Sequence, residues 1–227
     1  MATLVRKAAR LARRGLFLLK FWQPGGYRAR SYWEDRHGRF GFDLRGVGNL
    51  CLDSDENRAE YAAARETFLA ALAGAGVDPA SARMLDVGCG TGFYARAYFD
   101  AGGKDYTGVD IAGTLFPELR RRFPKARFER HDVTEEPLEG AYDLVCMIDV
   151  EQHIVDERRF RYAMDNLRGA LKPGGTLVLT SWLAPERRRR TLYEVERPRE
   201  AFEEAFPEAT LGDPVPFRDK FLFTVRP

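Results

Sequence analysis

The sequence predicts an α/β fold built on a mostly parallel β-sheet, and three observations support this class. Segments typical of buried strands alternate with amphipathic helical segments between residues 80 and 183, as in βαβ units. A glycine-rich turn joins the first strand to its helix, and aspartates end the second and third strands. Because the carboxyl ends of parallel strands meet at one edge of a sheet, we expect a ligand site at that edge.

The chain has 227 residues, enough for one domain with a full hydrophobic core. The first 33 residues hold eight basic residues and no acidic one, whereas residues 34–227 carry 28 basic against 34 acidic residues. A protein that coats nucleic acid would place its positive charge on the folded body. Nucleic acid is therefore not expected as a partner.

Residues 1–30 are predicted to form a basic amphipathic arm, followed by one domain at 31–227 whose amino-terminal cap spans 31–79. The apolar run at residues 15–19 is too short to span a membrane, and no cleavage site of a secretory signal follows it. Either the arm packs on the body, or residues 1–22 bind an anionic membrane surface. Three cysteines without metal-ligand spacing indicate reduced thiols. We expect a cytoplasmic protein, free or peripheral on the inner membrane face.

The glycine-rich turn follows the predicted strand Arg83–Val87, with Asp86 at the carboxyl end of the strand and glycines at positions 88, 90 and 92. Glycines allow a ligand to approach the backbone closely. The spacing differs from the G-x-G-x-x-G fingerprint of dinucleotide sites. A carboxylate before the first glycine would repel a pyrophosphate but would suit an amine or a sulfonium. The alternative is an ordinary strand–turn–helix connection.

The second predicted strand ends at Asp110, which lies 24 residues beyond Asp86. An acidic residue at this position of a nucleoside-binding sheet accepts hydrogen bonds from the ribose hydroxyls. A helix-capping aspartate is the alternative.

These stretches resemble the class I S-adenosylmethionine-dependent methyltransferases, in the branch that acts on small molecules and glycans. Residues 84–95 resemble motif I, Asp110 resembles motif II, and Asp132 with Val133 resembles motif III at the end of the strand Arg127–Asp132. The resemblance covers residues 31–227 and implies a Rossmann-like sheet with an antiparallel last strand. It also implies S-adenosylmethionine as the cofactor, held by Asp86, Gly88, Cys89, Gly90, Gly92, Asp110, Ile111, Asp132 and Val133.

The end of the fourth predicted strand, Tyr142–Val150, and the residues Glu151–Ile154 that follow it resemble motif IV of the same branch. Gln152 stands where the family usually has a glutamate before the histidine. The resemblance makes His153 the candidate general base, since an imidazole near neutral pH can take the proton of an attacking hydroxyl. The alternative is a histidine that shapes the loop or contacts the acceptor. Asp149 is a second candidate that would orient the acceptor, and one carboxylate is too few to predict a metal site.

The segment Ser31–Arg36 resembles aromatic stretches that fold over the cofactor in small-molecule methyltransferases. Tyr32 would then help to close the site, and Arg36 would pair with the methionine carboxylate of the cofactor. The alternative is that the aromatic residues only pack the arm onto the body. Residues 39–54 contain several glycines and no clear periodicity, so we expect a mobile loop there.

The carboxyl-terminal part is predicted to contain a turn at Leu171–Thr176, a strand at Thr176–Trp182 and two final strands at Val215–Phe217 and Lys220–Val225. Between them, residues 187–190 are four consecutive arginines. Such a run is usually solvated, and the alternative is that it attracts an acidic acceptor.

The resemblance implies an enzyme, and we expect methylation of an oxygen of a small molecule or glycan. Two alternatives stay open: a methyltransferase that acts on a lipid or quinone at a membrane surface, and a protein that binds S-adenosylmethionine without turnover.

Overall fold

The computed structural model describes residues 19–23, 26–48 and 52–227. Most of the predicted amphipathic arm lies outside the described residues, so its helix and its binding to membranes stay predictions. Within the described residues no helix is long and apolar enough to cross a membrane. Cys89 and Cys146 are buried free thiols, and Cys51 lies outside the described residues.

The helices are α1 (Ala29–Phe40), α2 (Ser54–Gly74), α3 (Phe93–Asp100), α4 (Phe116–Arg122), α5 (Glu157–Ala170) and α6 (Glu200–Ala205). Short 3₁₀ turns cover Leu44–Gly46 and Glu151–His153. Helix α2 begins at Ser54, because Asp53 and Glu56 form a capping box that satisfies the first backbone N–H groups.

The strands are β1 (Trp22–Gln23), β2 (Gly26–Tyr27), β3 (Arg83–Val87), β4 (Asp105–Asp110), β5 (Arg127–Arg130), β6 (Tyr142–Met147), β7 (Leu171–Ser181), β8 (Arg188–Arg189), β9 (Val195–Glu196), β10 (Thr210–Leu211), β11 (Val215–Phe217) and β12 (Lys220–Arg226). The main sheet has the order β10-β12-β7-β6-β3-β4-β5, and β11 pairs with β12. Strands β3 to β7 pair in parallel, whereas β12 is antiparallel to β7. This confirms the predicted mostly parallel, Rossmann-like α/β sheet with its antiparallel end.

The order of the strands creates a crevice beside β3, because β4 lies on one side of β3 and β6 on the other. Ligands bind at such switch points, outside the carboxyl ends of the strands. Two apolar clusters cover the two faces of the sheet. One includes Phe68 of α2 and Tyr98 of α3, and the other includes Phe160 of α5 and Phe202 of α6. These layers hold the crevice at one edge of a rigid sheet.

Two predicted boundaries differ from the structure. Strand β7 starts at Leu171, so residues 172–175 belong to the strand as a bulge and do not form a separate turn before it. The bulge is possible because Gly174 adopts a φ of 76°, which side chains disfavour. Strand β5 ends at Arg130, and Asp132 therefore lies in the following loop. The segment Ser31–Arg36 lies within α1, and the predicted loop at 39–54 contains the 3₁₀ turn Leu44–Gly46.

Candidate active site

A cavity of about 590 Å³ opens at the carboxyl edge of the sheet. Its floor comes from the turn between β3 and α3 and from the loops after β4, β5 and β6, and its roof comes from β1, β2 and α1. Volumes of this size are typical of sites that enclose a small molecule.

The turn after β3 brings backbone against the cavity at Gly88, Cys89 and Gly90. Gly88 has a φ of 81°, and a Cβ there would lie 2.2 Å from Val150 Cγ2. Gly90 has a φ of 49°, and a Cβ there would lie 3.0 Å from Val47. Gly92 precedes α3 and does not line the cavity. It packs against Leu119 of α4 and against Phe123. The first two glycines of the motif therefore serve the cavity, and the third serves helix packing.

Asp110 and Asp132 both line the cavity and are buried. The Asp110 carboxylate accepts hydrogen bonds of 2.9 Å from the Gly90 and Ala112 backbone N–H groups, one at each oxygen. Asp132 Oδ1 accepts from the backbone N–H and the hydroxyl of Thr134. Carboxylate oxygens offer about four acceptor positions, so both groups can still bind hydroxyl or amino groups of a ligand. Ile111 and Val133 line the cavity beside them.

Asp86 does not lie at the cavity, contrary to what its position before the glycines indicates. Its side chain is 1% exposed, and the Tyr106 hydroxyl donates to Asp86 Oδ2 over 2.7 Å. Burial, opposed by this hydrogen bond, raises the pKa of Asp86 to about 7. The carboxyl group is thus part of the sheet interior, below the glycine turn.

Helix α1 turns a different face to the cavity than the sequence suggests. Trp33 and His37 line the cavity, whereas Tyr32 and Arg36 lie behind them. The Arg36 guanidinium donates to the carbonyls of Arg45 and Gly48, at 3.0 and 2.7 Å, and to the Tyr32 hydroxyl. Arg36 therefore ties α1 to the loop that follows it. A role of Tyr32 and Arg36 in cofactor binding stays a prediction.

His37 is a cavity residue that the sequence did not single out. It is 2% exposed, and neither ring nitrogen has a hydrogen-bond partner among the described residues. Burial lowers the pKa of His37, while the neighbouring Asp110 carboxylate opposes that effect. A buried imidazole without a partner beside Asp110 is available for a ligand, because an unsatisfied polar group is otherwise costly.

His153 lies in the 3₁₀ turn after β6 and lines the cavity opposite α1. Its Nδ1 is 3.0 Å from the Tyr193 carbonyl oxygen, so Nδ1 carries the proton and Nε2 is left as an acceptor. The Trp33 ring packs edge-on against the imidazole, with centroids 5.0 Å apart. In this tautomer Nε2 carries the lone pair, and the ring lines the cavity.

The sequence predicts that the His153 imidazole titrates near neutral pH, but in the structure its pKa is lower. Burial, together with the charges of Lys220 and Arg36, lowers the pKa of His153 to about 4. Gln152 Nε2 lies 3.5 Å from His153 Nε2, the limit of a hydrogen bond. An amide donor here favours the neutral ring, whereas a glutamate would favour the imidazolium. His153 is therefore neutral at physiological pH.

Asp149 lines the cavity, but its carboxylate is already paired. Arg218 Nη1 lies 2.6 Å from Oδ2 and Lys220 Nζ lies 3.0 Å from Oδ1. These two cations outweigh burial and lower the pKa of Asp149. The geometry therefore fits an anchor between the loop after β6 and the β11–β12 hairpin better than a carboxylate free to orient the acceptor. No group of potential metal ligands occurs among the described residues.

A second buried ion pair supports the turn that carries His153. Glu151 and Arg197 are both 0% exposed, and Arg197 Nη1 donates to Glu151 Oε2 over 2.9 Å. Arg197 also donates to the carbonyls of Glu151 and Ile154. The segment after β9 thus holds both ends of the His153 turn, which local sequence patterns do not reveal.

The residues at this edge fit an adenosyl cofactor. The fit rests on the glycine turn whose backbone lines the cavity, on two carboxylates with remaining acceptor positions, and on an imidazole without a hydrogen-bond partner among the described residues beside one of them. Together they define a nucleoside site in the cavity that His153 also lines.

A family model described as a methyltransferase domain matches residues 54–213. The match covers well over half of the chain, and the chain therefore belongs to this family of methyltransferases.

Among curated proteins, the chain is 28% identical over 109 residues to a dTDP-3-amino-3,6-dideoxy-alpha-D-glucopyranose N,N-dimethyltransferase from Streptomyces fradiae. The matched region covers 48% of this chain and 42% of that protein. The chain is also 24% identical over 143 residues to a probable chloroplastic tocopherol O-methyltransferase from Oryza sativa subsp. japonica. This second match covers 60% of this chain and 39% of that protein. The chain spans about two fifths of the length of these relatives.

Among solved structures, the magnesium protoporphyrin IX methyltransferase of Synechocystis PCC 6803 with bound S-adenosylhomocysteine is similar, with a TM-score of 0.66 and 18% identity. The similarity covers 87% of this chain and 98% of that chain. At this identity it establishes a shared methyltransferase fold.

Proposed function

We propose that the protein transfers a methyl group from S-adenosylmethionine to an oxygen of a small molecule or glycan. The observation that carries this proposal is the neutral His153, whose Nδ1–H is held by the Tyr193 carbonyl and which lines the same cavity as Asp110 and Asp132. The family and the fold support the cofactor, and the aromatic roof supports a small acceptor.

The cofactor would be held by groups that are already oriented. Asp110 would accept from the two ribose hydroxyls, and Asp132 would accept from the adenine amino group, with Ile111 and Val133 against the ring. Gly88, Cys89 and Gly90 would bring backbone against the cofactor. When bound, S-adenosylmethionine supplies a methyl group on a positively charged sulfur, which an acceptor atom displaces in line.

His153 and the aromatic roof would prepare the acceptor. His153 Nε2 accepts a hydrogen bond from the acceptor hydroxyl and draws its proton away as the oxygen attacks. A base with a pKa of about 4 holds a proton weakly, so its contribution consists largely of orientation. Trp22, Tyr27 and Trp33 line the same cavity. Their rings exclude water, which supports the alignment that provides most of the rate.

Methylation of an amine is the second candidate. The low pKa of His153 favours it, because a neutral amine can attack without a strong base. The relative from Streptomyces fradiae is an N,N-dimethyltransferase by its name. His153 would then orient the amine through one N–H.

The experiment is incubation of cell extracts with S-adenosylmethionine carrying an isotopically labelled methyl group, followed by mass spectrometry of labelled products. A labelled small molecule or sugar with the methyl group on oxygen is expected. Binding of the cofactor without any labelled product would contradict an enzymatic function, and a label on nitrogen would favour the second candidate.

The same assay tests His153. We expect His153→Ala to lower turnover by roughly 10²-fold, the scale of general-base and orienting groups, while the affinity for S-adenosylhomocysteine in calorimetry changes less than about twofold because the cofactor groups are untouched. Unchanged turnover would remove His153 from the reaction.

A further inference from the structure

The four consecutive arginines after β7 are not equivalent. Arg187 pairs with Glu157 at 2.6 Å, and Arg188 and Arg190 pair with Glu196 at 2.7 and 3.2 Å. Arg189 forms no ion pair with any described residue and lines the cavity. The difference follows from strand geometry, because alternate side chains of β8 point to opposite sides.

Two further arginines line the same cavity. Arg28 precedes helix α1 and Arg30 lies in its first turn, and both are exposed cavity residues. Neither forms an ion pair within the described part of the chain, and the first turn of α1 has no acidic residue. Residues 1–18, 24–25 and 49–51 contain no aspartate or glutamate, so those segments cannot supply a carboxylate to them.

Each acidic residue that lines the cavity already accepts a hydrogen bond or forms an ion pair within the described residues. Asp149 pairs with Arg218 and Lys220. Glu135 pairs with Arg159 at 2.6 Å, and Asp156 caps α5 by accepting from the Arg159 backbone N–H. Asp110 and Asp132 lie at the nucleoside end and bind backbone groups. Arg28, Arg30 and Arg189 are therefore guanidinium groups of the cavity that form no ion pair with any described carboxylate.

We propose that Arg28, Arg30 and Arg189 bind an oxyanion of the methyl acceptor, which is thus a small molecule carrying a phosphate or a carboxylate. This inference rests on the proposed function and names its substrate class. Guanidinium forks match the geometry of carboxylate and phosphate oxygens. The three groups are exposed, so water and salt weaken each contact, and the joint action of three charges provides the affinity.

The oxyanion site and the methyl-transfer site are connected by one short segment. The Tyr193 carbonyl that holds His153 lies four residues after Arg189, in the connection between β8 and β9. An acceptor bound at Arg189 is therefore held at a fixed position relative to His153, which orients its nucleophilic atom. This connection gives the arginines a role in positioning as well as in capture.

The test is calorimetric titration of the full chain, saturated with S-adenosylhomocysteine, with inorganic pyrophosphate and separately with succinate at low salt. Saturation keeps both anions out of the nucleoside end. We expect one binding event that weakens roughly tenfold in Arg189→Ala and in the double variant Arg28→Ala with Arg30→Ala, the loss typical of a charge-assisted contact. Tighter binding of pyrophosphate indicates a phosphorylated acceptor, and tighter binding of succinate indicates a carboxylated one.

The matched control is Arg161→Ala, which removes an exposed arginine of α5 that does not line the cavity. Its anion affinity is expected to stay within about twofold of the unmodified chain. Anion affinity that is the same in all variants, or equally reduced in Arg161→Ala, would overturn the proposal. The affinity for S-adenosylhomocysteine reports folding in each variant. Its absence in the unmodified chain would contradict the proposed function, while the arginine variants would still test the anion site.

Discussion

Asp86 carries a carboxyl group inside the sheet, and its environment links charge to stability. The side chain is 1% exposed and its partner is the Tyr106 hydroxyl, which is buried as well. Since burial penalises the charged form, the pKa of Asp86 is raised to about 7. The folded chain therefore keeps a proton on Asp86 that the unfolded chain releases at about pH 4.

This linkage predicts how Asp86→Asn changes stability with pH. Between about pH 4 and pH 7 the folded state binds the extra proton, so Asp86 reduces stability as the pH rises through this window. Asparagine has no proton to lose and can still accept from Tyr106. We expect Asp86→Asn to raise the free energy of unfolding by about 2–4 kcal/mol at pH 8, and by little at pH 4. Urea denaturation at both pH values measures this, and an equal effect at both would contradict the assignment.

His153 has the opposite linkage, because its neutral form, which burial favours, is the deprotonated form. With a pKa lowered to about 4, the ring stays neutral down to about pH 5, whereas a free imidazole is half protonated near pH 6.5. We expect its ring resonances in ¹⁵N NMR, assigned by comparison with His153→Gln, to stay constant from pH 8 to about pH 5.5. A midpoint near pH 6.5 would show that the ring is solvated. The proposed role of His153 would accordingly persist in weakly acidic buffers.

At the scale of elements, helix α1 shows why the cap was predicted only in part. Tyr32 and Arg36 are four residues apart, and so are Trp33 and His37. Both pairs satisfy the spacing of one helical face, and they differ by about 100° of rotation. Only the packing of α1 on the body decides that Trp33 and His37 face the cavity. The same packing engages Arg36 with two carbonyls of the next loop.

The turn that carries His153 depends on the segment after β9 through the buried Glu151–Arg197 pair. Burial raises the pKa of Glu151 even against the charge of Arg197. Removing the arginine leaves the acid buried without a partner, so we expect Arg197→Met to lower the free energy of unfolding by about 3–5 kcal/mol. The double variant with Glu151→Leu should recover much of the loss.

The control for this prediction is Arg121→Ala, since Arg121 is exposed and pairs with Glu118 on the surface of α4. Surface pairs contribute little, so its denaturation curve is expected to match that of the unmodified chain. Equal curves for Arg197→Met and Arg121→Ala would show that the buried pair does not stabilise the turn.

At the scale of the whole molecule, the loops after β3, β4, β5 and β6 and the amino-terminal cap line one cavity. A ligand bound there therefore contacts segments that are distant in the sequence. A ligand that binds only the folded state at 100 times its Kd adds about 2.7 kcal/mol of stability, or about 5–10 °C in Tm for a domain of this size. We expect S-adenosylhomocysteine to produce this shift in thermal denaturation.

The variant Asp110→Asn should lose most of the shift, because the amide no longer offers two charged acceptors to the ribose hydroxyls. Asp213→Asn removes an exposed charge away from the cavity and should keep the shift. If Asp110→Asn retained the full shift, the ribose role of Asp110 would be wrong.

The sequence by itself determined the fold class, the family, and the positions of the glycine turn, Asp110 and Asp132. These features follow from short-range patterns, because strands, helices and tight turns are encoded in neighbouring residues and parallel strands end at one edge. The third glycine, Gly92, shows the limit of such patterns, since it packs on α4 and does not reach the cavity.

The tertiary structure decided the partners of the charged and titratable groups. Asp149 is neutralised by residues 69 and 71 positions later, His153 is held by a carbonyl 40 positions later, and Arg189 alone of its run reaches the cavity. Such pairings depend on which segments the sheet brings together. Burial, which sets the pKa of Asp86 and His153, likewise exists only once the layers have packed.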